Sequence, residues 1–343
     1  MRDGTVKVGL APNLYPPELT FRAAELCEES GLDGLWLADH VVAFGIKRFA
    51  AVDAWTTLAA LAVKTRRVRL GSSVSDPHRR HPETLAQIVA TVDLLSHGRT
   101  VLGIGAGEAM NLTPFGVEWD HPVSRMREAV QAIKLLWTLD QVDFEGRFVR
   151  LSKAILDLKP VQRPHPPIWI GANSPRSLRL VGELGDGWIP IAGEPKDYAR
   201  KLQFVRQVAS DAGRNPEEIV PALFAYVGVA VERAALERKF LLPVKALYLT
   251  TTVPELNVWK HVPLNREMGE RILFEAQKLD VKLDELVDRR VAVIGTPREC
   301  VDLLQEYVNA GARYLILAPL SRPEEFVETA KLCIDGVAKE LTG

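Results

Sequence analysis

Residues 101–110 read VLGIGAGEAM, with glycines at 103, 105 and 107 and a glutamate, Glu108, directly after the third. A dinucleotide-binding turn needs G-x-G-x-x-G in the first strand–helix unit, with an acidic residue roughly 20 positions later. Here the spacing is G-x-G-x-G, and the run falls in the fourth such unit of the chain. The dinucleotide reading is therefore poor, and two others stay open. The glycines let a strand bend, or they let a planar ring or a phosphate approach the backbone, because no side chain stands in the way.

Working outward, strand-like runs alternate with helical patterns. Runs at 5–11, 32–40, 67–75, 100–108, 167–172, 187–192, 222–231 and 313–319 are β-rich. Amphipathic stretches at 17–31, 53–65, 82–98, 123–139, 174–185, 195–213, 296–311 and 322–341 separate them. The apolar period switches between about 2 and about 3.6 at each step, the mark of βα units. The strands read as continuously apolar, as parallel strands buried on both faces do. Residues 143–151 (DFEGRFVRL) predict a small hairpin, and 232–290 a mostly helical insertion. With no linker or low-complexity tract, the pattern predicts one (β/α)8 TIM barrel over 1–343, with an open doubly wound sheet as the alternative.

Composition bounds the function. The formal net charge is −1, from 43 basic and 44 acidic residues, which gives no reason to expect a nucleic-acid or membrane-surface partner. The three cysteines, Cys27, Cys300 and Cys333, are few and far apart, arguing against a disulfide framework or a zinc site. No apolar run reaches membrane-spanning length and no leader pattern opens the chain, so a cytoplasmic location is expected.

In a (β/α)8 barrel the active site is built at the C-terminal ends of the strands. Asp39 and His40 end the second strand, and Ser73, Val74, Ser75 and Asp76 the third. Ala106, Gly107 and Glu108 end the fourth; Gly171, Ala172, Asn173 and Ser174 end the fifth and open a helix. A glycine and small polar residues before a helix N-terminus suit a phosphate, because free N–H groups point at it. Each residue also has an ordinary reading: His40 as a hydrogen-bonded structural histidine, Glu108 as a helix cap or ion-pair partner, 75–82 (SDPHRRHP) as a solvated loop.

Taken together these segments resemble the luciferase-like flavin and deazaflavin oxidoreductases, most strongly over 67–131. Within that superfamily the chain is similar to the branch that uses coenzyme F420, which includes sugar-phosphate dehydrogenases, secondary alcohol dehydrogenases and methylenetetrahydromethanopterin reductases. The resemblance implies a non-prolyl cis peptide at Ser73–Val74 behind the deazaflavin ring. It implies cofactor contacts at Asp39, Asp76, Ala106, Gly107, Glu108 and Asn111, and a phosphate loop at Gly171 to Ser174. It also implies that His40 and Glu108 form an acid/base pair. One would act on the substrate hydroxyl, the other on the proton that accompanies ring reduction. The dehydrogenases carry a tryptophan where this chain has Phe44, and a glutamate of the reductases is Ala11 here. Lys196 and Lys245 stand, with Lys239, Lys260 and Arg266, in the regions of the basic cluster that holds a sugar phosphate.

The leading expectation is thus an F420-dependent oxidoreductase acting on a small molecule, its substrate covered by the 232–290 insertion and the chain a homodimer. An FMN-dependent monooxygenase on the same barrel is the second reading, and a non-catalytic flavin-binding protein the third.

Overall fold

The computed structural model describes residues 5–12, 15–43 and 50–342. The first units run β1 (Lys7–Leu10), α1 (Pro17–Ser30), β2 (Gly34–Leu37), α2 (Ala54–Lys64), β3 (Arg69–Ser72), α3 (Pro82–Leu95) and β4 (Thr100–Ile104). A single turn, α4 (Ala109–Leu112), precedes α5 (Pro122–Thr138) and the hairpin β5 (Val142–Glu145) with β6 (Arg150–Ala154). Then follow β7 (Ile168–Ile170), α6 (Pro175–Leu184), β8 (Gly187–Trp188), α7 (Pro195–Asp211) and β9 (Val220–Val229). The insertion supplies α8 (Arg233–Thr252), α9 (Arg266–Lys278) and α10 (Leu283–Asp288). The chain closes through β10 (Val293–Gly295), α11 (Pro297–Asn309), β11 (Tyr314–Pro319) and α12 (Phe326–Cys333).

Among the described residues, β1, β2, β3, β4, β7, β8, β9 and β11 pair in parallel around a closed ring, sealed between β8 and β9. This is the expected (β/α)8 barrel. β10 was not anticipated: it lies beside the outer half of β9, Val293 opposite Val227. Its three residues are too short for a period to register.

Helix starts follow local rules. α1, α3, α5, α6, α7 and α11 each open on a proline, whose fixed φ and missing N–H suit the first helical position. Two apolar layers then organise the barrel. An outer core joins strands to helices, and an inner one holds Trp36, Val101, Trp169, Ile189, Tyr314 and Ile316. Trp36 and Trp169 stack at 4.7 Å between ring centroids, and Trp36 Nε1 donates to the Tyr314 hydroxyl at 3.1 Å. Glycines give the indoles room: a Cβ on Gly71 would fall 2.4 Å from Trp36 and one on Gly187 2.6 Å from Trp169. Among the described residues, the packed aromatic rings fill the barrel interior below the C-terminal strand ends.

Candidate active site

The glycine run of β4 meets its partner in β3. A Cβ on Gly103 would sit 1.8 Å from the Ser72 carbonyl oxygen, and one on Gly105 2.4 Å from Val74 Cγ2. Val74 thus projects into space that two missing side chains leave open. The Ser73–Val74 peptide is cis. Beyond it the ladder to β4 continues, Ser75 N donating to Gly103 O at 2.9 Å and Gly105 N to Ser75 O at 2.7 Å, while the Ser72 hydroxyl also donates to Gly103 O at 2.8 Å. Gly107 has φ +82°, a conformation that favours glycine, and a Cβ there would lie 2.7 Å from Leu112. The close approach of the Ser72 carbonyl and Val74 accounts for Gly103 and Gly105, and the turn for Gly107.

That turn aims Glu108. Its backbone is extended and its side chain caps nothing. Instead Oε2 lies 3.1 Å from His40 Nε2, across the mouth from the end of β2. Burial pulls the His40 imidazole down, but the charge and hydrogen bond of Glu108 outweigh it, and the net shift is upward. Asn111, buried in α4, donates from Nδ2 to the same Glu108 oxygen at 3.2 Å. Its Oδ1 accepts from the backbone N–H groups of Val41 and Val42, at 2.8 and 2.9 Å. His40, Glu108 and Asn111, distant in sequence, form one connected group.

Asp39 and Asp76 serve a different network. The Asp39 carboxylate is 2.6 Å from Arg80 and 3.4 Å from Arg79, and Asp76 is 2.6 Å from Arg79. Arg80 continues to Asp53, the N-cap of α2. Asp76 Oδ1 also accepts from the N–H groups of His78 and Arg79, both at 2.9 Å. Residues 75–82 are therefore a half-buried ion-pair cluster and not a solvated loop. Asp39 braces the shell behind His40.

At the end of β7, Ala172 is packed in the outer core and its carbonyl accepts from Trp188 at 2.9 Å. Asn173 and Ser174 are exposed, with Ser174 closing a capping box with Ser177 at the start of α6. The exposed Arg176, one position into that helix, donates to Ser124 at 2.6 Å. Lys196 is exposed at the start of α7. The Lys245 ammonium donates to the Leu279 carbonyl at 2.6 Å, tying α8 to the end of α9. Phe44 lies outside the described residues.

Two groups at the mouth were missed in the sequence. Tyr226 follows Ala222 and Phe224 along the inward parity of β9, its ring 5.3 Å from Phe224. Burial, and then the Glu108 charge, push its phenol upward. Trp259, from the insertion, brings its ring to 6.4 Å from His40. Ala109 N and Met110 N donate to the carbonyls of Trp259 and Val258, both at 3.0 Å, stitching the insertion to α4. Met110 and Val42 join an apolar cluster with Val258, Trp259, Leu249 and Ile272. Inward parity on an apolar strand would have flagged Tyr226; nothing local flags Trp259.

The Ser73 hydroxyl is buried at this mouth without a protein partner. The orphaned Ser73 hydroxyl, the bare backbone at Gly105 to Gly107 and the exposed Asn173, Ser174 and Arg176 beyond β7 fit a planar heterocycle with an anionic tail. No described helix is long and apolar enough to cross a membrane.

Comparison with known proteins agrees with this fold. The family model for luciferase-like monooxygenases matches residues 8–314, and the chain belongs to that family. It is 34% identical to the phthiodiolone/phenolphthiodiolone dimycocerosates ketoreductase of Mycobacterium tuberculosis, over 92% of this chain and 90% of the relative. It is 26% identical to the 5,10-methylenetetrahydromethanopterin reductase of Methanolobus tindarius, over 93% of this chain and 94% of the relative. In fold it is similar to an F420-dependent secondary alcohol dehydrogenase solved with an F420–acetone adduct, TM-score 0.82 at 22% identity, covering 97% of this chain and 98% of that one.

Proposed function

We propose that this luciferase-like family member is an oxidoreductase that moves hydride between coenzyme F420 and a carbon substrate of the ketone or secondary-alcohol type. The observation that carries the reading is the His40–Glu108 pair, 3.1 Å apart at the end of β4. The ketoreductase and methylenetetrahydromethanopterin reductase names of two relatives support reduction of an oxidised carbon, and the alcohol dehydrogenase likeness supports the cofactor.

Ser73, the backbone at Ala106 and Gly107, and the turn from Gly171 to Ser174 with Arg176 would hold the cofactor. When bound, F420 supplies or accepts a hydride at C5 of its deazaflavin ring. The chain's own part is the proton. In ketone reduction the carbonyl carbon gains hydride and the carbonyl oxygen gains a proton from His40. In alcohol oxidation neutral His40 takes the hydroxyl proton as hydride leaves the carbon. Glu108 favours the protonated imidazole and offsets the effect of its burial. The half-buried Trp259 and Val42 give the site an apolar flank, which suits a ketone flanked by hydrocarbon.

Titration of the purified protein with oxidised F420 and, separately, with FMN tests the reading, followed by absorbance and fluorescence. Micromolar or tighter binding of F420 with negligible FMN binding is expected. Tight FMN binding would move the chain to the oxygen-using reading that the monooxygenase description of its family model favours. His40→Ala and Glu108→Gln should each abolish most turnover; unchanged turnover in both withdraws the acid/base assignment.

A further inference from the structure

We propose that Asn111 is a positioning residue of this site, setting the reach of Glu108 onto His40. The catalytic meaning of this role rests on the function proposed above, but the geometry stands apart from it. Asn111 is 2% exposed, and three hydrogen bonds engage its amide. The acceptor end holds Val41 and Val42, the two residues after His40. The donor end holds the Glu108 oxygen that faces His40. One planar amide thus spans both halves of the pair and fixes their separation, because its donor and acceptor are rigidly related.

The orientation of Asn111 is itself set from the insertion. α4 is a single turn, and such a turn has few hydrogen bonds of its own. Its first two N–H groups are taken up by Trp259 and Val258. A contact made over 140 residues away in the chain thereby steadies the residue that aims Glu108. The hydrogen bond to Oε2 matters more than a neutral contact elsewhere, since it lies in a half-buried site and its acceptor is a carboxylate.

The test is a double-mutant cycle read on the His40 imidazole in the cofactor-free protein. Its ring proton is followed by NMR over a pH series and assigned among the seven histidines by its loss in His40→Gln. The charged groups acting on His40 are Glu108 and Asp39, which favour the imidazolium, and Arg79, which opposes it; the Tyr226 phenol faces Glu108. Asn111→Ala should lower the His40 midpoint, and in a Glu108→Gln background the same change should leave it where it is. With cofactor and ketone present, Asn111→Ala should also lower kcat/KM by roughly 10- to 100-fold, the cost of a misplaced group. An unmoved midpoint in Asn111→Ala, or an equal shift in both backgrounds, overturns the proposal and leaves Asn111 a loop anchor. Should Asn111→Ala fail to fold, Asn111→Ser, which leaves a hydroxyl beside the loop, goes through the same cycle. A cycle that succeeds in a protein that binds no F420 would retire the function and keep the positioning role.

Discussion

Arg79 grips Asp39 twice, through its carboxylate at 3.4 Å and through its main-chain carbonyl. The residue held is the one before His40, so a guanidinium from the loop after β3 sets where the second strand delivers its imidazole. Arg79 also pairs with Asp76 at 2.6 Å, and the three side chains are nearly buried.

Arg79→Met should therefore cost more than a surface pair would. Removing one partner leaves two buried carboxylates short of a cation, a loss of about 3–5 kcal/mol. Denaturant unfolding should show that loss. A change under about 1 kcal/mol would mean the cluster is solvated and contributes little.

Glu108→Gln should change stability in a pH-dependent way. Glu108 raises the His40 imidazole above its ordinary value near 6.5. A group raised on folding contributes stability fully present below its unfolded value and lost as pH rises through the folded one. The gap between wild type and Glu108→Gln should thus be widest below about pH 6.5 and close as the pH rises above it. A gap that widens at high pH would reverse the assignment.

Gly105→Ala should destabilise, because its Cβ would meet Val74 Cγ2 at 2.4 Å. Overpacking of this kind costs about 1–3 kcal/mol. Gly105→Ala combined with Val74→Ala should recover part of that loss, which thermal unfolding of the three variants would reveal. Gly103→Ala has no such remedy, since it meets the Ser72 backbone at 1.8 Å. Additive losses in the Gly105/Val74 pair would show that the two do not share the space.

Lys245→Met should weaken the protein by roughly 1.5–3 kcal/mol, the worth of a hydrogen bond from a charged group. It should leave KM for a ketone substrate within twofold, because the ammonium faces the Leu279 carbonyl and not the barrel mouth. A tenfold rise in KM with unchanged stability would return Lys245 to the binding site.

What could be read in advance divides by range. The barrel strands and their helices were visible because burial on both faces makes each strand continuously apolar, a local property. The placing of His40 and Glu108 at one mouth followed from barrel geometry alone. The purpose of Gly103 and Gly105 did not, because the groups that need their space, the Ser72 carbonyl and Val74, lie about 30 residues earlier. The engagement of Asp39 by Arg79 and Arg80 spans about 40 residues, and Asp39 could equally have faced a ligand. Trp259 was hidden for the same reason, in an insertion whose docking has no periodic signature.

Trp36, Trp169 and Tyr314 fill the axis of the barrel beneath Val74. Each of the three is at most 2% exposed, so the axis is a solid floor and not a channel.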